Sequence, residues 1–394
     1  MAVDRISMLP DEVLYHILSF LPTQMAAKTS ILSKRWKPLW LLVPTLFCDD
    51  RSYLRNYKPY HYFTKFIYAT ILARDVPITT FRLQCEASNT DFSVSDLQIW
   101  VNAAIQRGLE NLYIRLPHNE NQLSWNSCIL GCKTLVVLKL AGLDLDVISF
   151  AHLPSLKTLH LFDVTFLEPL YLVSFADLPS LKTLDLRDVD FPEPQCLVDL
   201  LAGCPNLEYM RLRDIFYDDV DAIVHYKNFK SLSKLVRADI HSVLFDIFVE
   251  SPKFDKYLDD ILLFPNLTHV ELMFGLWMSW DFVLAMLKHS PMLQYVVLSM
   301  QIQNGFYQYP VWISPCFAPE CLSSQLRKCS IINYAGRESE LHFAKYIMQN
   351  SKVLRTMTVC TLRYSELKVE DKLELLKELS LCPRSSSICE LSFT

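Results

Sequence analysis

The chain has 394 residues, 51% of them hydrophobic and 21% charged, with seven glycines and 20 prolines. That is enough apolar material for two or three packed domains, and it excludes a disordered or collagen-like chain. A net charge of −5 supplies no global field that would favour nucleic acid.

No basic stretch followed by an apolar run opens the chain, so no signal peptide is expected. The longest apolar runs, such as Leu39–Val43, are too short to span a bilayer. The twelve cysteines therefore read as reduced, buried thiols. Asn266-Leu267-Thr268 is a formal glycosylation sequon that is expected to stay bare.

Pro10 suits a helix start because its missing N–H would be unpaired there, and Asp11 and Glu12 complement the helix dipole. Leu9, Val13, Leu14, Ile17, Leu18 and Leu21 then recur at helical spacing as one apolar stripe. Pro22 ends this helix, and Thr23 is placed to cap a second one carrying Ala26, Ala27 and Ser30 into Ile31-Leu32. Trp36 and Trp40 lie one turn apart, with Pro38 between them as a break or restart. Three short helices in about 40 residues cannot bury all this apolar surface alone. The stretch is either a helical cap on the next domain or a docking module whose leftover face meets a partner.

The runs Leu9-Pro10-Asp11-Glu12-Val13 and Ser30-Ile31-Leu32-Ser33-Lys34-Arg35-Trp36 resemble the plant form of the F-box. That motif binds a Skp-family adaptor and through it a cullin–RING ubiquitin ligase. The resemblance implies an F-box over residues 1–46, with adaptor contacts at Leu9, Pro10, Val13, Ile17, Leu18, Leu21, Leu32 and Trp36. Met25 departs from the pattern, which often has an acidic residue there.

Residues 49–62 read as a linker or irregular cap. Residues 63–74 form a helix stopped by Pro77, 79–83 alternate as a strand, 95–107 form a second helix stopped by Gly108, and 109–114 form a strand. One pattern then recurs: apolar residues at positions 1, 4 and 6 of a short segment. Clear cases are Leu135/Leu138/Leu140, Leu156/Leu159/Leu161, Leu181/Leu184/Leu186 and Leu207/Met210/Leu212. Weaker cases start at Leu235, Leu267, Leu293, Leu326 and Leu354, with steps of 21 to 33 residues between starts. The last two apolar positions point inward from a short strand and the first turns the chain inward. Stacked units share one core that no single unit could form. The pentapeptide Ser-Leu-Lys-Thr-Leu occurs at both 155–159 and 180–184. These segments resemble plant leucine-rich repeats found behind F-boxes, which implies a solenoid over 47–314 with a curved parallel sheet and helices on its convex side.

From Pro315 the character changes. A strand at 326–332, a helix at 338–350, a strand at 353–360, a helix around 372–379 and a last strand before Phe393 succeed one another. This β-α-β rhythm resembles the FBD module that accompanies plant F-boxes, placed here at 315–394. Physically it is a terminal cap on the solenoid core. The expected fold is α/β: a three-helix F-box, a leucine-rich-repeat solenoid and an FBD-type cap.

Candidate chemistry is sparse. Cys128/Cys132 and Cys316/Cys321 lack the second pair or the histidines of a zinc site. The pairs Asp49-Asp50, Asp218-Asp219 and Asp259-Asp260 sit in polar segments, where adjacent carboxylates are usually solvated. Neither a phosphate loop nor a Gly-x-Ser-x-Gly elbow occurs. No catalytic residue, metal or cofactor is expected.

The informative surface is the outward strand face. Position 5 gives Lys139, His160, Asp185, Arg211, Asp239, Glu271 and Val297; position 3 includes Thr183, Tyr209, Arg237, His269 and Tyr295; position 7 includes Phe162, Arg187, Arg213, His241 and Met273. Large side chains with directional hydrogen bonds, such as Tyr and Arg, are common binding anchors. The site residues expected to meet a target are Lys139, His160, Asp185, Arg187, Tyr209, Arg211, Arg213, Arg237 and Glu271, with Arg187, Arg211, Arg213 and Arg237 facing an acidic patch. The competing reading is a solvated face on which pairs such as Asp185 and Arg211 neutralise each other.

Together these readings imply a non-catalytic substrate adaptor of a Skp–cullin–F-box ubiquitin ligase, in the cytoplasm or nucleus, binding a protein target but neither nucleic acid nor membrane. The alternative is a leucine-rich-repeat scaffold or small-molecule-sensing receptor without ligase function.

Overall fold

Alternating apolar residues that restart every few tens of positions can bury themselves only against the next copy, and strands in this chain stack in chain order. The structure, a computed structural model, describes residues 6, 8–56, 59–87, 93–117, 123–125, 132–145, 153–167, 178–218, 232–241, 264–274, 280–300, 311–315, 318–361 and 369–394. Two compact units are present: Met1–Leu181 with Val189–Pro192, and Lys182–Asp188 with Glu193–Thr394.

The first unit opens with helices α1 (Asp11–Ser19), α2 (Thr23–Lys28) and α3 (Trp36–Leu39), with a 3-10 turn at Thr29–Ile31. Pro38 is tolerated because it lies in the first turn of its short helix. Strands β1 (Thr45–Asp49), β2 (Thr80–Gln84), β3 (Asn111–Arg115), β5 (Val137–Leu145) and β6 (Thr158–Phe166) form a parallel sheet in that order, and β4 (Leu123–Trp125) pairs with β5. Helices α4 (Arg51–Arg55), α5 (His61–Leu72) and α6 (Val94–Ile105) connect the first strands. Ser93 and Asp96 make a reciprocal capping box at the start of α6, and Gly108, with φ of 83°, ends the segment after it.

The second unit begins with β7 (Thr183–Phe191), and then come β8 (Tyr209–Tyr217), β9 (Arg237–His241), β10 (His269–Phe274), β11 (Tyr295–Met300), β12 (Lys328–Tyr334), β13 (Thr356–Thr361) and β14 (Glu390–Phe393), neighbours in that order. The helices are α7 (Pro194–Ala202), α8 (Trp280–Lys288), α9 (Glu320–Ser324), α10 (Glu338–Asn350) and α11 (Val369–Ser380). Buried Trp280 of α8, Trp312 and Phe343 of α10 pack ring against ring, with centroids 5.1–5.7 Å apart. The rings join the last leucine-rich segment to the carboxy-terminal one, and aromatic edges and faces in such contacts add to plain area burial.

A backbone stitch repeats at the strand starts. One carbonyl accepts from two successive N–H groups of the next unit: Glu110 from Val136 and Val137, Glu208 from Val236 and Arg237, Thr268 from Gln294 and Tyr295, Arg327 from Arg355 and Thr356. The preceding leucine of each triplet, among them Leu135, Leu235, Leu293 and Leu354, is fully buried beneath the stitch.

A second device was not expected. Gly142, Asp163, Asp188, Asp214 and Asn333, each two residues past the last apolar position of its triplet, have φ between 51° and 70°. The left-handed residue inserts one position and inverts the alternation, so Leu143, Val164, Val189, Ile215 and Tyr334 turn back into the core. The ladder records it directly: Ala141 pairs with Phe162, but the next partners are Leu143 and Val164.

Three expectations are corrected. Thr23 does not cap α2; its buried hydroxyl accepts from the Phe47 N–H at 2.9 Å and ties the helices to β1. Residues 49–62 are not a simple linker, since they include the end of β1 and all of α4. Asp49 and Asp50 are buried rather than solvated. Arg51 grips Asp49 with two nitrogens, and Asp50 accepts from the N–H groups of Glu86 and Ala87 and from the Tyr60 hydroxyl. Burial outweighs these bonds and pushes the Asp50 carboxyl above its ordinary value. Asp219 and Asp259-Asp260 lie outside the described residues, as do Cys128 and Cys316.

A methyl group on Gly142 would meet the Leu116 carbonyl oxygen at 2.4 Å, on a backbone with φ of 70°. Gly142→Ala should therefore cost about 2 kcal/mol or more, whereas Asp163→Gly in the equivalent bulge should stay within about 1 kcal/mol of the parent. Urea midpoints of the two variants measure the contrast.

Candidate functional site

The amino-terminal helices keep a small core of their own: Leu14, Leu18, Ala26, Trp36, Leu39 and Val43, flanked by Leu9, Tyr15 and Trp40. Arg35 holds the start of α1 by donating to the Asp11 carboxylate at 2.8 Å and to the Leu9 carbonyl. Arg74, at the end of α5 and 2% exposed, donates to the Val43 and Trp40 carbonyls. Burial lowers its pKa to about 10.

The eight residues expected to meet an adaptor divide by burial. Val13, Ile17, Leu21 and Leu32 are exposed, Pro10 is exposed, and Leu9 is half-buried. Leu18 and Trp36 are instead sealed inside the helical core, 2% and 5% exposed. Their helical spacing puts them on the inward side of the stripe, so they hold the surface up rather than form it. Sequence reasoning missed Met8, Phe20 and Ile31, which are apolar and strongly exposed in the same segment. They lie off the stripe, and the signal for them was the lack of any inward partner at that spacing.

On the second unit, seven expected residues come together. Register places Tyr209, Arg237, His269 and Tyr295 in one row and Arg211, Asp239, Glu271 and Val297 in the next. Arg187 binds Asp185 through two nitrogens at 2.8 and 2.7 Å. Arg211 reaches Asp239 at 2.7 Å and Asp185 at 3.3 Å, and Arg213 reaches Asp239 at 2.7 Å and Glu271 at 3.9 Å. His241 Nε2 lies 3.0 Å from the other Asp239 oxygen. Three guanidiniums therefore meet three carboxylates, and only Arg237 of the expected cationic group stands exposed beside them. Ring contacts add stiffness: His269 stacks on Tyr295 at 4.2 Å, and the Arg211 guanidinium lies 5.4 Å from the Tyr209 ring centre.

Lys139 and His160 are the two expected residues on the first unit, half-buried and adjacent in register.

Asp239 is the hub. It is 1% exposed, and burial alone would raise its pKa, but bonding from His241, Arg213 and Arg211 holds the carboxyl well below the usual range. Asp239, His241 and Glu271 each offer an atom within 4.8 Å of the others, the one such trio among the described residues. Both guanidiniums already on Asp239 would repel a metal ion there, so the trio works as an ion-pair network.

Asp239→Asn should cost about 3 kcal/mol by leaving two half-buried arginines short of a carboxylate. The depressed pKa gives stability that is complete above the ordinary value of 3.8 and is lost as the pH falls through the lower native one. The urea-midpoint gap between parent and variant should thus be constant from neutral pH down to about 5 and narrow below about 4.

Comparison with known proteins agrees with this arrangement. Residues 6–47 match the F-box domain model, 155–175 and 180–205 match the Leucine Rich Repeat model, and 314–359 match the FBD model. An F-box/FBD/LRR-repeat protein of Arabidopsis thaliana is 30% identical over 436 residues, covering 99% of this chain and 100% of the relative. An FBD-associated F-box protein of the same plant is 30% identical over 432 residues, covering 100% of both. With helical head, stacked leucine strands and carboxy-terminal module all present in one order, the chain belongs to the F-box/FBD/LRR-repeat family.

Proposed function

We propose that the chain is the substrate-recognition subunit of a Skp–cullin–F-box ubiquitin ligase. Residues 1–46 would dock a Skp-family adaptor, 47–314 would hold a protein target, and 315–394 would close the repeat core. The observation that carries this reading is the exposed apolar set Val13, Ile17, Leu21 and Leu32 on a helical module that already has its own core. Isolated exposed leucines are ordinary, but a contiguous apolar face in a segment matching the F-box model calls for a partner.

No side-chain chemistry is required of such a subunit. Holding the target beside the ubiquitin-loaded enzyme raises its effective concentration and fixes which lysines can react. Outward strand residues, among them Lys139, His160, Tyr209 and Arg237, would supply the target contacts. Among the described residues, no helix is long and apolar enough to cross a membrane. A cytoplasmic or nuclear site of action goes with the ligase reading.

The test is co-purification with a purified Skp-family adaptor, with an established F-box as control. The parent should be retained. Ile17→Asp with Leu32→Asp, both at exposed positions, should lower retention at least about tenfold while circular dichroism stays unchanged. An unretained parent, under conditions where the control is retained, overturns the ligase reading.

A further inference from the structure

The outward face of the first unit differs in kind from that of the second. Parallel register aligns Phe47, Arg82, Tyr113, Lys139 and His160 in one row across β1, β2, β3, β5 and β6. Aromatic and cationic side chains alternate along the first four. The Arg82 guanidinium sits 4.5 Å from the Phe47 ring centre, and the Lys139 ammonium 5.6 Å from that of Tyr113. Both cations lean the same way, so their spacing along the row is kept.

In the second unit the corresponding arginines are met by Asp185, Asp239 and Glu271. Here the row itself contains no carboxylate. Asp49, in the adjoining row, is held by Arg51. Asp144 lies five residues beyond Lys139, past the Gly142 bulge, and Glu110 sits three residues before Tyr113 at the strand's start. Arg115, two residues beyond Tyr113, adds another exposed cation.

We infer that this row is a docking site for an acidic, extended segment of a protein target, with carboxylates three residues apart and an apolar residue between them. Arg82 and Lys139 are two strands apart, about 9.6 Å at ordinary strand spacing. In a polyproline-type segment, residues i and i+3 recur on one side about 9.3 Å apart, which matches that interval. An apolar side chain between them would lie over Tyr113. The row spans four strand intervals, about 19 Å, enough for about six residues of such a segment. Arginine and lysine already stacked on rings lose little further freedom on binding, which favours a charged partner over water. This inference rests on the target-recognition reading and deepens it by naming the chemistry of the target.

The test uses the full chain and three labelled proline-rich decapeptides: glutamates at i and i+3 with leucine between, glutamates adjacent, and glutamines replacing the glutamates. Fluorescence anisotropy should show the first peptide binding at least about tenfold tighter than the other two, with affinity falling as salt rises. Arg82→Glu with Lys139→Glu should abolish that preference, and Arg82→Gln with Lys139→Gln should weaken binding without reversing it. Arg211→Gln, in the neutralised cluster, should leave it intact. Absence of binding, equal binding of all three peptides, binding undiminished by the double reversal, or tighter binding of a ten-nucleotide oligouridine each overturns the inference. Adaptor retention on the same preparation scores the ligase reading separately. Peptide preference with adaptor retention lost supports the row and overturns only that reading.

Discussion

Each repeat leans on one shared backbone carbonyl. When Glu110, Glu208, Thr268 or Arg327 accepts two N–H groups from the next segment, it fixes both the entry direction of the following strand and the depth of the leucine before it. A single conventional bond would fix distance but leave the chain free to turn about it. Two donors on one acceptor remove that freedom, so the next leucine can point only into the core. The inward leucines then restore, as burial, the cost of ordering a unit that has no core of its own. Everything the outer face does depends on this register, because a slip of one residue would exchange core and surface.

The left-handed residues extend that logic. A strand that alternated strictly past Leu140 or Leu161 would send the residues at 143 and 164 outward. Gly142 and Asp163 invert the phase and keep nine-residue strands buried along their length. Glycine is required where the Leu116 carbonyl crowds the position, and aspartate serves where the backbone is open. The inversion also puts Asp144 back on the outward side, where burial, helped by the nearby Asp163, raises its carboxyl above the ordinary value. Bulge residues thus carry acidic groups to the far rim of a face whose centre is cationic and aromatic.

Much of this was legible. The triplets from Leu135 to Leu354 each produce a strand, and the helix expected at 338–350 is present with those bounds. The outward residues named from the register do lie in rows. What could not be read was how they pair, because a position number says which face a side chain takes and nothing of its rotamer. Arg187, Arg211 and Arg213 were therefore expected to wait for an acidic partner, and they are instead committed to Asp185, Asp239 and Glu271. The bulges left a signal that period counting passes over: Asp-Val-Thr-Phe at 163–166 and Asp-Val-Asp-Phe at 188–191 come after their triplets at the same offset. The helical stripe was likewise half right, since spacing marks a face wide enough to include both core residues such as Leu18 and surface ones such as Ile17.

The amino-terminal helices depend on the same strand ladder for their usefulness. Their own core is six residues, too little to order three short helices in isolation. Buried groups from the sheet complete them: the Thr23 hydroxyl takes the Phe47 N–H, and Arg74 satisfies carbonyls at Trp40 and Val43. An arginine this deeply buried is costly unless its donors are used, so its bonds to carbonyls at the end of the helical segment fix that segment's exit. Because the anchoring is polar and made from the inner side, it consumes none of the apolar surface at Val13, Ile17, Leu21 and Leu32. An apolar anchor would have covered part of that face. The choice of a buried cation and a hydroxyl as pins is what lets one small module be firmly attached and still leave an apolar face open to a partner.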